Sequence, residues 1–174
     1  NRSSDRVGVA IVTSGPAITN TLTAVAYSNA DSIPMLVFAG QVPQRKLGTD
    51  EFQHINVTEV FAKAAKKVIL ITDNSDVETV VKDSYFLAQS GKPGPVVIDF
   101  PLDAQRKIGH YAEQDPNVYR SKYEDESHLG KNQCRNFFEL LRHSSRPLLY
   151  IGGGLNSKAG SERIREFNRM FNIP

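Results

Sequence analysis

The chain reads as an α/β fold: a mainly parallel β-sheet with helices on both faces, followed by the start of a second α/β domain. Three observations predict it. Short, nearly continuous apolar runs recur over residues 7–100, each closes on glycine, proline or a polar turn, and stretches of helical periodicity separate them. Runs apolar on both sides suit strands buried between two helix layers, and strands that alternate with helices are joined by parallel crossovers.

Val7 to Thr13 is the first such run, stopped by Ser14-Gly15-Pro16, and a helix is expected from about Thr19 to Asn29. Met35 to Ala39 follows Ile33-Pro34 and ends at Gly40, completing a β-α-β unit. Beyond a polar loop through Asp50, a short helix is expected near Val57 to Ala65 and a strand at Val68 to Ile71. Ser75 and Glu78 have capping-box spacing, in which the serine oxygen accepts from an early helical amide and the glutamate reaches back. Val77, Val80, Val81, Ser84, Leu87 and Ala88 continue at helical spacing until Gly91 and Pro93 stop the helix, and Val96 to Phe100 is the next strand.

Residues 1–103 are read as one domain. From Ala104 to Gly130 the pattern lapses into polar residues with Tyr111, Tyr119 and Tyr123 interspersed, too long a loop for the inside of a compact domain, so residues 104–130 are read as an interdomain linker. Residues 131–174 open a second domain, with a helix from Lys131 to His143, a strand from Leu148 to Ile151 and a helix from Ser161 to Asn172. One strand cannot build a sheet, so the chain is expected to be cut from something larger.

Hydrophobic residues make up 40% and charged residues 23% of the 174, the mixture of a globular protein with a buried core. The formal charge of +2 comes from 21 basic and 19 acidic side chains spread along the chain, with no basic stripe to neutralise phosphates, so nucleic acid is not an expected partner. No apolar run nears the roughly 20 residues that cross a bilayer. The sequence also opens without the apolar core of a secretory signal, which points to a cytoplasmic protein with no membrane partner. Cys134 shares a helical face with Phe137, Leu140 and Leu141 and is read as a core thiol rather than a nucleophile. His54, His110, His128 and His143 stand far apart, and none has a second ligand at metal-site spacing.

Several segments, in order, carry a resemblance. Val9 to Asn20, reading Val-Ala-Ile-Val-Thr-Ser-Gly-Pro-Ala-Ile-Thr-Asn, is similar to the strand and turn "VTSGPGATN" of the acetolactate (acetohydroxyacid) synthases. Gly40-Gln-Val-Pro43 with Gly48-Thr-Asp-Glu-Phe-Gln53 resembles that family's "GQVP…GTDAFQ" loop. Ser90 to Pro101 resembles "SGRPGPVLVDLP", and Arg146 to Gly154 resembles "KPVLYVGGG". The ordered set is identified with the large subunit of that thiamine-diphosphate-dependent family. It implies a truncated thiamine-diphosphate-binding fold: the later part of the pyrimidine-binding domain, then the start of the central domain.

The resemblance also implies roles. Gly15, Pro16 and Asn20 match the turn that contacts the cofactor's aminopyrimidine, which suits a turn at the carboxyl end of a buried strand. Read alone, Gly15-Pro16 is a tight turn and Asn20 a helix-start residue. Phe52 and Gln53 match residues on the reaction side of the pocket, where a neutral amide orients a keto acid without adding charge, although the pair alone is a loop amide beside an aromatic. Pro43 matches the rim of the substrate channel and is equally a rigid turn proline. Gly152, Gly153 and Gly154 match the FAD position, and glycines between a strand and a helix let backbone approach a phosphate. Two positions depart from the family: Ala17 replaces the second glycine of the turn, and Ala62, next to Lys63, stands where the family has an arginine that holds FAD.

By the same resemblance the parent protein decarboxylates pyruvate and condenses the two-carbon unit with a second 2-keto acid in branched-chain amino-acid biosynthesis. It uses thiamine diphosphate and magnesium, works as a homodimer or homotetramer, and takes a regulatory subunit. The activating glutamate is expected before Asn1 and the magnesium ligands beyond Pro174, so these residues should not catalyse alone. Two other readings stand beside it. One is another thiamine-diphosphate carboligase or decarboxylase, of the glyoxylate carboligase or oxalyl-CoA decarboxylase type. The other is a non-catalytic nucleotide-binding or interaction module resting on Gly152 to Gly154.

Overall fold

The structure is a computed structural model, and it describes residues 6–72, 76–109, 115–123, 129–155 and 157–174. It divides into two compact units, Asn1–Asp125 and Glu126–Pro174.

The first unit is built on four strands, β1 (Gly8–Val12), β2 (Met35–Gln41), β3 (Lys67–Leu70) and β4 (Pro95–Pro101). They lie in the order β1-β2-β4-β3, and every pairing is parallel. The expected α/β architecture is therefore present. Along β2, alternate side chains serve opposite faces. Val37 and Ala39 join Val97 under α1 (Pro16–Thr19), α2 (Leu22–Ala30) and α3 (Val57–Phe61), packing with Ile18, Val25 and Phe61. Leu36 joins Val96 and Ile98 on the other side, against Ala88 of α4 (Val77–Gln89) and Ala104 of α5 (Leu102–Arg106). Helices thus cover both faces, and the central strands β2 and β4 carry the core.

β1 is different. Val9 and Ile11 are 60% and 80% exposed, so the run Val7 to Thr13 is not buried on both sides as its apolar sequence suggests. As an edge strand it packs Ala10 and Val12 inward, while its other face has no helix over it among the described residues.

Local chemistry sets the helix limits. The single helix expected from Thr19 to Asn29 is two: α1 ends at Asn20, whose amide donates to the Pro16 carbonyl, and α2 starts after Thr21. α3 stops at Phe61, short of the expected Ala65. Ser75 lies outside the described residues, and the cap of α4 is Asp76, which accepts from the Glu78 amide at 3.1 Å and from the Thr79 hydroxyl at 2.6 Å. A carboxylate there meets both the orphan amides and the positive helix end. At the other end of α4, the Lys66 ammonium donates to the carbonyls of Leu87 and Ser90, both at 2.6 Å.

Part of the stretch read as a linker packs back on the first unit. In α6 (Pro116–Arg120), Tyr119 is buried, and its hydroxyl lies 3.0 Å from that of Thr79 on α4.

The second unit holds α7 (Lys131–His143) and α8 (Lys158–Phe171). Their aromatic sides meet, with the Phe137 and Phe167 ring centres 6.1 Å apart and those of Phe138 and Phe171 5.6 Å apart. Leu148 to Ile151 is not a strand, contrary to the expectation; among the described residues no strand lies beside it, and its Leu149 amide donates instead to the Pro174 carbonyl. An apolar run becomes a strand only when a neighbour takes up its backbone groups. Cys134 is half-buried rather than in a core, because α8 covers only part of its helix face.

Candidate functional site

A cleft of about 540 Å³ opens at the carboxyl ends of β1, β2 and β4. Ile11 to Ser14 come from β1 and the turn after it, Phe38 and Gly40 to Pro43 from β2 and its exit, and Phe100, Leu102 and Gln105 from the end of β4 and α5. Phe52 and Gln53 enter from the loop between β2 and α3. This is where parallel α/β sheets hold ligands, since loops there fan outward from fixed strand ends.

The turn after β1 and the loop bearing Gln53 are pressed together. Gly15, the buried residue that caps α1, has φ 61° and ψ −124°, a conformation open to glycine. A Cβ added there would lie 2.9 Å from the Cβ of Gln53. Gln53 itself has φ 61°, uncommon for a side-chain-bearing residue and held only where the surroundings enforce it. Pairing a glycine with a strained glutamine brings residues far apart in sequence to one wall of the cleft.

The lining contains no Asp, Glu, Lys, Arg or His. It offers amides, hydroxyls, backbone and aromatic faces. Of its three glutamines, Gln41 donates to the Ile55 carbonyl at 2.9 Å and Gln105 to the Phe100 carbonyl at 2.6 Å. Gln53 has only a 3.5 Å contact from the Ser14 hydroxyl, so its amide can meet a ligand. Phe52 is 84% exposed and presents its ring at the mouth. Such a surface binds and orients. Among the described lining residues none is suited to move a proton.

Gly15, Pro43, Phe52 and Gln53 are thus gathered at or beside one cleft. Pro16 and Asn20, in and after the same turn, are exposed and are not among the residues that line it. Gly152 to Gly154 belong to the second unit, where Gly153–Leu155 forms a 3-10 turn and Gly152 and Gly153, but not Gly154, line a separate cleft of about 380 Å³. A Cβ on any of the three would meet nothing within 4 Å. Sequence reading passed over Gln41 and Asp99, although both sit inside quoted segments. The signal was there, since an aspartate amid Val96, Val97, Ile98 and Phe100 places a carboxyl where a core belongs. Asp99 is 4% exposed, and burial pushes its carboxyl up to about 6 against the opposing hydrogen bond from Gln41.

Comparison with known proteins agrees with this geometry. Residues 1–60 match the family described as thiamine pyrophosphate enzyme, N-terminal TPP binding domain. The chain is 40% identical over 177 residues to acetolactate synthase 2, chloroplastic, of Zea mays, a match covering 99% of this chain and 27% of that protein. It is 36% identical over 174 residues to acetolactate synthase of Arthrospira platensis, with 99% and 30% covered. It is 35% identical over 174 residues to the acetolactate synthase large subunit of Buchnera aphidicola subsp. Schizaphis graminum, again with 99% and 30% covered. The chain therefore spans about three tenths of the length of these relatives. With a parallel sheet and a cleft at its strand ends, the chain is similar over residues 1–60 to the N-terminal TPP binding domain of thiamine pyrophosphate enzymes, and along 99% of its length to acetolactate synthases.

Proposed function

We propose that this chain is part of a thiamine-diphosphate-dependent enzyme that decarboxylates pyruvate and joins the two-carbon unit to a second 2-keto acid, as in branched-chain amino-acid biosynthesis. The observation that carries the reading is a ligand-sized cleft with no ionisable lining and one uncommitted amide, Gln53, in a chain similar to acetolactate synthases. The cofactor fits the residues present, because the cleft beside the Gly15–Gln53 contact is ligand-sized and lined by amides, hydroxyls and aromatic faces without charge. Gly15 and the Ser14 backbone would flank the pyrimidine side; Phe52 and Gln53 would flank the reacting carbon. The chemistry a bound thiamine diphosphate supplies is a nucleophilic carbon and an electron sink for decarboxylation.

The protein's own part is orientation and exclusion of water. The Gln53 amide donates to, and accepts from, the polar end of a keto acid without adding charge. The Phe52 ring and Pro43 narrow the mouth of the cleft. Magnesium belongs to the reading as an ion held by segments other than these. A Cβ on Gly152, Gly153 or Gly154 would meet nothing within 4 Å, so these glycines show no close backbone approach of the kind that would hold FAD.

The parent enzyme is proposed to be a homodimer or homotetramer, and relatives named as large subunits support a regulatory partner. Among the described residues no helix is long and apolar enough to cross a membrane. We keep the cytoplasm as its compartment, with a plastid the alternative because the maize relatives are named chloroplastic.

The test is product analysis on the complete enzyme supplied with pyruvate, thiamine diphosphate and magnesium. Acetolactate formation that depends on the cofactor is expected. Activity on glyoxylate or oxalyl-CoA in place of pyruvate would replace this reading with one of the other carboligases or decarboxylases.

A further inference from the structure

Asp99 is a buried side chain next to the cleft-lining Phe100 that binding and orientation leave unused. It lies near the end of β4, opposite Ala39 of β2 and Leu70 of β3, and its Oδ1 is buried with no hydrogen-bond partner. Among the described residues no charged group offsets it. β2, α1 and α2 contain no Asp, Glu, Lys, Arg or His, while Glu59 of α3 and Lys67 of β3 are exposed. In the β2–β4 register Ala39 faces Asp99 and Gln41 faces Pro101, so Gln41, itself 5% exposed, is the diagonal neighbour of Asp99 on the same face of the sheet.

Gln41 binds in two further directions. Its Nε2 donates to the Ile55 carbonyl at 2.9 Å, and its Oε1 accepts from the Val42 amide at 2.9 Å. Val42 begins the loop that carries Pro43, Phe52 and Gln53; Ile55 ends it. One amide therefore ties both ends of the loop together, with the Asp99 carboxyl on the neighbouring strand beside it. An aspartate in the middle of a strand core costs stability unless it does something a leucine could not.

We propose that Asp99 is a positioning residue that acts through Gln41 as a latch on the neck of the 42–55 loop, setting where Pro43, Phe52 and Gln53 stand in the cleft. The latch is a property of the fold. Its consequence for keto acids rests on the function proposed above.

The test uses the complete parent protein and its Asp99→Leu, Asp99→Asn and Gln41→Leu variants. Trypsin cleavage after Arg45 and Lys46, inside the loop, is timed without cofactor. Asp99→Leu and Gln41→Leu are expected to speed cleavage there at least fivefold, with sites elsewhere unchanged. Asp99→Asn, which still accepts from Gln41, is expected to stay within twofold of wild type. The Asp99→Leu, Gln41→Leu double variant should be no faster than the faster single one, because both break the same connection. A leucine in this core need not unfold the protein, since replacing a buried polar group by an apolar one is often tolerated. Should Asp99→Leu nonetheless fail to fold, Gln41→Leu compared with Asp99→Asn decides the matter. Wild-type cleavage in Gln41→Leu, or Asp99→Asn cleaved as fast as Gln41→Leu, overturns the latch. Faster loop cleavage without any change in kcat or KM for pyruvate would keep the latch and reject the catalytic assignment of the loop. A wild-type enzyme inert toward keto acids would reject the functional reading while leaving the cleavage result to stand.

Discussion

Gln53 joins two unusual properties: a left-handed backbone, with φ 61°, and an amide held by nothing stronger than a 3.5 Å contact. Strain kept at a cleft wall without a structural bond to justify it points to function. Gln53→Ala in the complete enzyme is therefore expected to lower pyruvate turnover roughly ten- to a thousandfold at saturating cofactor. Thermal unfolding should barely move, because an exposed loop amide adds little to a core. Full activity in this variant would return Gln53 to a packing role. Gly15 tests the opposite wall. Gly15→Ala needs a positive φ and sets a methyl 2.9 Å from the Gln53 Cβ, so it should cost about 1–3 kcal/mol and raise the half-saturating thiamine diphosphate concentration at least tenfold. Cofactor titration together with urea unfolding separates the two effects.

Asp99 makes a pH-dependent contribution with a definite sign. Burial raises its folded-state pKa from 3.8 to about 6, so the folded protein favours the proton. The stabilising contribution is complete below pH 3.8 and is lost as pH rises through about 6, a difference of order 3 kcal/mol at full effect. Asp99→Asn is accordingly expected to be more stable than wild type at pH 8, with the gap closing toward pH 4. Urea unfolding at both values measures it, and a gap that does not change with pH would contradict the burial argument.

At the scale of elements, α4 shows how local chemistry and packing divide the work. Asp76 closes its first turn and Lys66 its last, while Val77, Val80, Leu87 and Ala88 attach it to the sheet. Asp76→Ala should lower the midpoint in urea at unchanged slope, as loss of a helix cap does. A changed slope would mean that the residue supports more than the helix end. β1 is the contrasting element. Its apolar sequence suits a doubly buried strand, yet Val9 and Ile11 face outward on an edge.

For the molecule as a whole, the described cleft can hold and orient but lacks any ionisable side chain in its lining. The 174 residues by themselves are expected to consume no pyruvate, whereas the complete enzyme should do so and should run in light scattering as a dimer or larger. A monomeric complete enzyme with full activity would refute the proposed assembly.

The sequence by itself determined the four strands of the first unit and their alternation with helices, because apolar periodicity and glycine or proline punctuation act over a few residues. It also carried the Val9 to Asn20, Gly40 to Gln53 and Ser90 to Pro101 segments whose order matches the acetolactate synthases. What meets what was decided by the tertiary structure. Ser14 and Gln53 are 39 positions apart and touch; Asn20, inside the same quoted motif as Gly15, is exposed and does not line the cleft. Leu148 to Ile151 has strand composition but no strand to pair with among the described residues. Asp99 carries a pKa near 6 because of the core around it. Pairing, burial and desolvation are set by neighbours distant in sequence, and a local pattern cannot contain them.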